Sequence, residues 1–119
     1  MDSTEHSRAA SSHEAAQRFA QRLSGSKALR RGHVVLRLTG DDGGVFCFSY
    51  DGKNLVSSRE TPPGRCGVEL IGDSKRIWAV LNGTKDARSQ FFAGAFRLRG
   101  DMRYISDLAL ELGILTQPI

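Results

Sequence analysis

Acidic residues and glycines punctuate the last third of the chain at short intervals, and nothing else in the sequence constrains the fold as tightly. Asp73 precedes a helix-patterned run to Leu81, with Gly83 after it. Asp86 precedes a run to Phe92, with Gly94 after it. Asp101 precedes a run to Leu112, with Gly113 after it. A side-chain oxygen at each start satisfies free backbone N–H groups. A glycine at each end tolerates the left-handed conformation that closes a helix. Three short helices are therefore predicted. Between the second and third lies AFRLR, residues 95–99, in which Phe96 and Leu98 point one way and Arg97 and Arg99 the other, as in a strand.

Earlier segments have a different period. In HVVLRLT, residues 33–39, Val34, Leu36 and Leu38 share one face. DDGG, residues 41–44, reads as a hairpin turn. VFCFSY follows, with Phe46, Phe48 and Tyr50 on one face, and Asp51-Gly52 marks a second turn before the weaker strand NLVSS. The loop ETPPGR interrupts the pattern, and CGVELI, residues 66–71, reads as a fourth strand. Short turns between short strands predict an antiparallel meander rather than βαβ units. Before this block, Ser11 to Glu14 has the spacing of a capping box, and Ala15, Ala16, Phe19, Ala20 and Leu23 recur at helical spacing up to Ser24-Gly25. Residues 1–10 are polar and small and are expected to form a disordered tail, leaving one domain over residues 11–119.

Composition narrows the function classes. The chain is 39% hydrophobic and 25% charged, ordinary for one globular core. No stretch approaches the roughly 18 apolar residues of a membrane span. The N-terminal residues have no apolar segment of the secretory kind, and TQPI is not a recognised C-terminal address. Cys47 and Cys66 lie in strand-like segments and read as buried free thiols, so a cytoplasmic setting is expected. The net charge of +4 raises a nucleic-acid reading, but the basic residues are spread along the chain and no recognition motif occurs. No nucleic-acid partner is expected, whereas transient attraction to an anionic membrane surface is compatible with the charge.

The usual catalytic signatures are missing. His6, His13 and His33 are isolated and the cysteines are unpaired, so no metal site is predicted. No G-x-S-x-G elbow, Walker loop or G-x-G-x-x-G fingerprint occurs. Asp41-Asp42 belongs to a turn. Tyr50, Tyr104, Cys47 and Glu69 would be acid–base candidates only if they faced a cavity.

The last helix is greasier than a surface helix requires. On a helical wheel, Arg103, Asp107 and Glu111 form one polar stripe. Met102, Tyr104, Ile105, Leu108, Ala109 and Leu112 cover an arc of roughly 160°, against the 100° or so that capping a sheet requires. A well-buried helix and a cavity-lining helix both satisfy this pattern, and periodicity leaves both open. The closing run GILTQPI suits either a lid or a fraying end.

The run GTKDARSQFFAGAFRLRGDM, residues 83–102, resembles the closing segment of the sterol carrier protein 2 (SCP2) family. Gly83, Phe91, Phe92, Gly94, Phe96, Leu98, Gly100, Asp101 and Met102 fall on that family's pattern without a gap. Ala87 departs from it, standing where the family often has proline, and ETPPGR is a loop of its own. The resemblance implies an α+β fold: a mostly antiparallel, five-stranded mixed sheet with helices on one face around an apolar cavity. It implies a free-standing member, bacterial and cytoplasmic, that holds or carries a fatty acyl chain, acyl-CoA, phospholipid or sterol-like molecule without a cofactor and without catalysis. Such a site is apolar wall with a few polar groups at its mouth. The ligand-binding candidates are Phe46, Phe48, Trp78, Leu81, Phe91, Phe92, Phe96, Met102, Ile105, Leu108, Ala109 and Leu112, each equally suited to ordinary core. The alternative is a cofactor-free enzyme or substrate-holding accessory of a biosynthetic pathway using the same cavity, with Glu69 and Tyr104 as the ionisable groups to locate. A scaffold with a filled cavity is the third reading, and cavity volume separates it from the others.

Overall fold

The computed structural model describes the backbone of residues 3–64 and 66–118, with side chains from Ser12 onward in that range. The elements run α1 (Ser3–Ser24), β1 (Gly32–Thr39), β2 (Gly44–Tyr50), β3 (Leu55–Ser58), β4 (Val68–Asp73), α2 (Ser74–Leu81), α3 (Ala87–Phe92), β5 (Phe96–Gly100) and α4 (Met102–Glu111). The three acidic caps act as the sequence predicts. Asp73 accepts from Arg76 N, Asp86 from Ser89 N, and Asp101 from Arg103 N and Tyr104 N. Gly83, Gly94 and Gly113, just past the helix ends, all take positive φ.

Two expectations need correction. First, α1 begins at Ser3, so residues 3–10 continue the helix and the predicted cap at Ser11 lies inside it; Met1 and Asp2 fall outside the described residues. Glu5, Arg8, Ala9 and Ala10 are sound helix formers, which is why the pattern does not stop at the serine pair. Second, the meander ends after three strands. The sheet order is β3-β2-β1-β4-β5, and β4 lies parallel to β1 rather than antiparallel to β3. The segment after β3 carries the chain across to the other side of β1, where Gly67 N donates to His33 O at 3.0 Å.

Register assigns the two faces of this five-stranded mixed sheet. Val34 stands beside Phe48 and Val68, and Leu36 beside Phe46 and Leu70, which in turn stands beside Leu98. This face packs against the helices: Ala16, Phe19 and Leu23 of α1, Ile77 and Leu81 of α2, and Ile105 and Leu108 of α4 complete one core cluster. The other face carries Val35, Cys47, Arg37 and Glu69. There Arg37 and Glu69 form an ion pair, and this bond holds the Arg37 pKa above its ordinary value.

Arg22 fixes the spacing of the helix layer. Its Nη1 donates to Leu81 O and its Nη2 to Leu112 O, each at 2.6 Å. One guanidinium from α1 thus engages the C-terminal ends of both α2 and α4, where a cation is favoured by the exposed carbonyls.

Candidate apolar ligand site

An apolar cavity of about 140 Å³ lies between the sheet and the helices. Val34, Val68, Leu70, Phe96 and Leu98 form its floor on the sheet. Phe19 of α1, Val80 and Leu81 of α2, and Met102, Ile105, Leu108, Ala109 and Leu112 of α4 form its walls. Phe91 and Phe92 close one side from α3, and Ile114 and Leu115 close another from the segment after α4. That segment is held to α4 by Ile114 N and Leu115 N, which both donate to Ala109 O, at 2.8 and 3.1 Å.

The rim is aromatic and open to solvent. Phe92 is 77% exposed, Met102 44% and Phe91 40%. The Phe91 ring centroid lies 5.8 Å from those of Phe92 and Phe96, so the three rings form one cluster from rim to floor. Exposing so much aromatic and thioether surface together is unfavourable for a protein with nothing to place against it.

Among the described residues, Arg88 is the one charged residue lining the cavity. Its Nη2 donates to Gln117 O at 3.3 Å and to Pro118 O at 2.9 Å. Sequence reasoning missed it. Its signal was its place on α3, three and four residues before Phe91 and Phe92, which puts all three on neighbouring positions of one helix face.

The predicted site residues divide. Leu81, Phe91, Phe92, Phe96, Met102, Ile105, Leu108, Ala109 and Leu112 come together on the cavity. Phe46, Phe48 and Trp78 do not line it. Phe48 packs edge-on against Phe19 at 5.4 Å between centroids, and Phe46 edge-on against Trp78 at 5.8 Å. The β2 aromatics are spent on packing against Phe19 and Trp78, and the cavity opens over Val68, Leu70, Phe96 and Leu98 of β4 and β5 instead. Phe19, Val34, Val68, Leu70, Val80, Ala87, Leu98, Ile114 and Leu115 line the cavity without having been predicted.

The acid–base candidates lie elsewhere. Glu69 is on the far face with Arg37. The Tyr104 hydroxyl accepts from Arg30 N at 3.0 Å and its ring lies under the Arg30 guanidinium, 4.7 Å from the centroid. Cys47 Sγ sits 3.5 Å from Ser49 Oγ and 3.8 Å from His33 Nδ1, on the far face. The Tyr50 hydroxyl donates to Gly52 O at 3.0 Å. Burial raises the Cys66 thiol pKa, the opposite of an activated nucleophile. Among the described residues no group of three or more His, Cys, Asp or Glu side chains is placed to hold a metal ion.

The architecture is that of the SCP2 fold. The structure of SCP2-like 2 from Aedes aegypti superposes with a TM-score of 0.63 at 18% identity, covering 83% of this chain and 94% of that one. The solution structure of A. aegypti SCP-2 in complex with palmitate gives 0.59 at 19% identity, covering 87% and 93%. A ubiquinone synthesis protein, UbiJ-SCP2, gives 0.58 at 14% identity, covering 82% and 89%. No protein-family model and no curated protein sequence matches the chain.

Proposed function

We propose that this protein binds a hydrophobic ligand, such as a fatty acyl chain, acyl-CoA, phospholipid or sterol-like molecule, between its sheet and helices. The observation that carries this reading is the almost wholly apolar cavity opening through an exposed aromatic rim. Each methylene taken from water into such a wall contributes about 0.8 kcal/mol. The palmitate complex of a protein with the same fold supports the same reading.

Volume sets a condition. At about 140 Å³ the cavity is the size that admits a benzene-like guest, below the roughly 300–1,000 Å³ of pockets that enclose larger ligands. A long chain enters when the rim aromatics and the segment after α4 move outward.

We place the ligand against the walls of α4, α3 and the β4–β5 floor, and assign Phe46, Phe48 and Trp78 to the core instead. The rim and the net charge of +4 suit brief contact with an anionic membrane surface during loading. The free thiols Cys47 and Cys66 suit the reducing interior of a cell.

Likeness to a ubiquinone synthesis protein favours a second reading, a substrate-holding accessory of a biosynthetic pathway. Native mass spectrometry of the purified protein, followed by organic extraction, tests both. A spread of acyl-chain masses supports the carrier. One hydrophobic intermediate of a single mass supports the accessory. A protein that carries nothing and takes up no lipid offered to it overturns both.

A further inference from the structure

We propose that Arg88 is the head-group site of this cavity, and that its ligand is an acyl chain ending in an oxyanion, a carboxylate or a phosphate. The inference rests on the lipid-binding reading above and narrows it. Arg88 meets the cavity with its aliphatic stem and holds its guanidinium exposed at the edge, where the polar head of a chain lying in a hydrocarbon cavity emerges. Arg88 lies on the same face of α3 as Phe91 and Phe92, so a chain passing between the rim aromatics brings its head to the guanidinium.

The present partners of Arg88 are weak competitors for it. Gln117 O and Pro118 O are neutral backbone acceptors, and both distances, 3.3 and 2.9 Å, belong to one nitrogen, Nη2. An oxyanion accepts charge-assisted bonds roughly twice as strong, and a guanidinium presents a planar fork that matches two such oxygens. No carboxylate among the described residues forms an ion pair with Arg88. Asp86, two residues earlier, is engaged with Ser89 N and Oγ at 2.9 and 2.8 Å. Exchange of the two carbonyls for an oxyanion would also release the segment carrying Ile114 and Leu115 from one of its attachments, and so enlarge the cavity.

The test compares hexadecanoate, hexadecyl phosphate and 1-hexadecanol, three ligands with one chain and different heads, as competitors of the neutral dye Nile red. They are titrated into the wild type, Arg88→Gln and Arg88→Lys. Arg88 is exposed, so neither substitution threatens the fold, and the preference is read within each variant as the ratio of its oxyanion affinity to its 1-hexadecanol affinity. The expected result is that the wild type prefers an oxyanion head over the alcohol by roughly fivefold or more. Arg88→Gln brings the affinities for the three heads together, and Arg88→Lys keeps part of the preference. Preference for one oxyanion only identifies the head. Equal binding of all three heads by the wild type, or a preference that survives in Arg88→Gln, overturns the assignment of Arg88 while leaving the lipid-binding reading intact. Failure of every chain to displace the dye overturns both.

Discussion

The indole Nε1 of Trp78 donates to the Ser12 hydroxyl at 3.0 Å, and that buried bond ties α2 to α1. The same hydroxyl donates to Asp42 O at 3.0 Å, while Ser12 N donates to Asp42 Oδ2 at 3.1 Å. Ser12 therefore joins two helices and the β1–β2 turn at one point. Replacing it with alanine leaves a buried indole N–H without its acceptor. The expected cost for Ser12→Ala is about 1–3 kcal/mol, read from urea unfolding. A change within about 0.5 kcal/mol, the range of neutral surface substitutions, would mean that the indole finds another partner.

Gly100 and Gly94 bracket β5, and they are glycine for different reasons. At Gly94, φ is +78° and nothing lies within 4 Å of where a Cβ would stand. At Gly100, φ is +120° and a Cβ would run into the backbone of Gly67, whose carbonyl accepts from Asp101 N at 3.1 Å. Gly94→Ala meets only the left-handed penalty of about 1–2 kcal/mol. Gly100→Ala must in addition push β5 away from the start of β4, so it is expected to cost at least about 1 kcal/mol more than Gly94→Ala. Thermal melts of the two variants side by side decide this, and equal losses would show that the close approach at Gly67 is soft.

What the sequence revealed was what neighbouring residues dictate. Asp73, Asp86 and Asp101 each cap a helix because the side chain and the N–H groups it satisfies are three residues apart or fewer. Strand faces were legible for the same reason, since Val34, Leu36 and Leu38 recur at every second position and share the face that meets the helices. The pairing of β4 with β1 was not legible, because parallel register is set by residues over thirty positions apart, such as Arg37 and Glu69. Nor does alternation say how far a helix stands from a sheet. Phe46 and Leu98 read alike in sequence, as inward positions of a strand, yet Phe46 meets Trp78 while Leu98 meets a cavity.

Acid should loosen the rim before the core. The Asp86 carboxylate accepts from Ser89 N and Ser89 Oγ, and these bonds hold its pKa below the ordinary value. A depressed folded pKa means that the cap stabilises fully above the unfolded value, about 3.9, and is lost as pH falls through the lower folded value. Amide exchange at Ser89, and at the following α3 residues, is therefore expected to accelerate relative to the core below about pH 4. Asp51 is depressed in the same direction by the N–H groups of Asn54 and Lys53, so a global melt would mix the two. Asp86→Asn keeps a good cap but removes the titration. If its α3 amides show the same acid dependence as the wild type, the cap is not the cause.

Ala109 is the place to block the cavity without disturbing the core. It is half-buried on α4, it lines the cavity, and its carbonyl holds the segment carrying Ile114 and Leu115. An indole at this position projects into a space of about 140 Å³ and takes most of it. Ala109→Trp is expected to cost no more than the roughly 1–3 kcal/mol typical of overpacking while lowering hexadecanoate affinity by at least about tenfold. Phe48→Leu is the counterpart. Phe48 is fully buried against Phe19 and lies off the cavity, so its truncation should reduce stability by about 1–3 kcal/mol and leave affinity within about twofold. Affinity by dye displacement and stability by urea unfolding, measured on both variants, separate the two roles. Should Phe48→Leu abolish binding while Ala109→Trp does not, the ligand lies over β2, and the cavity over β4 and β5 has no part in holding it.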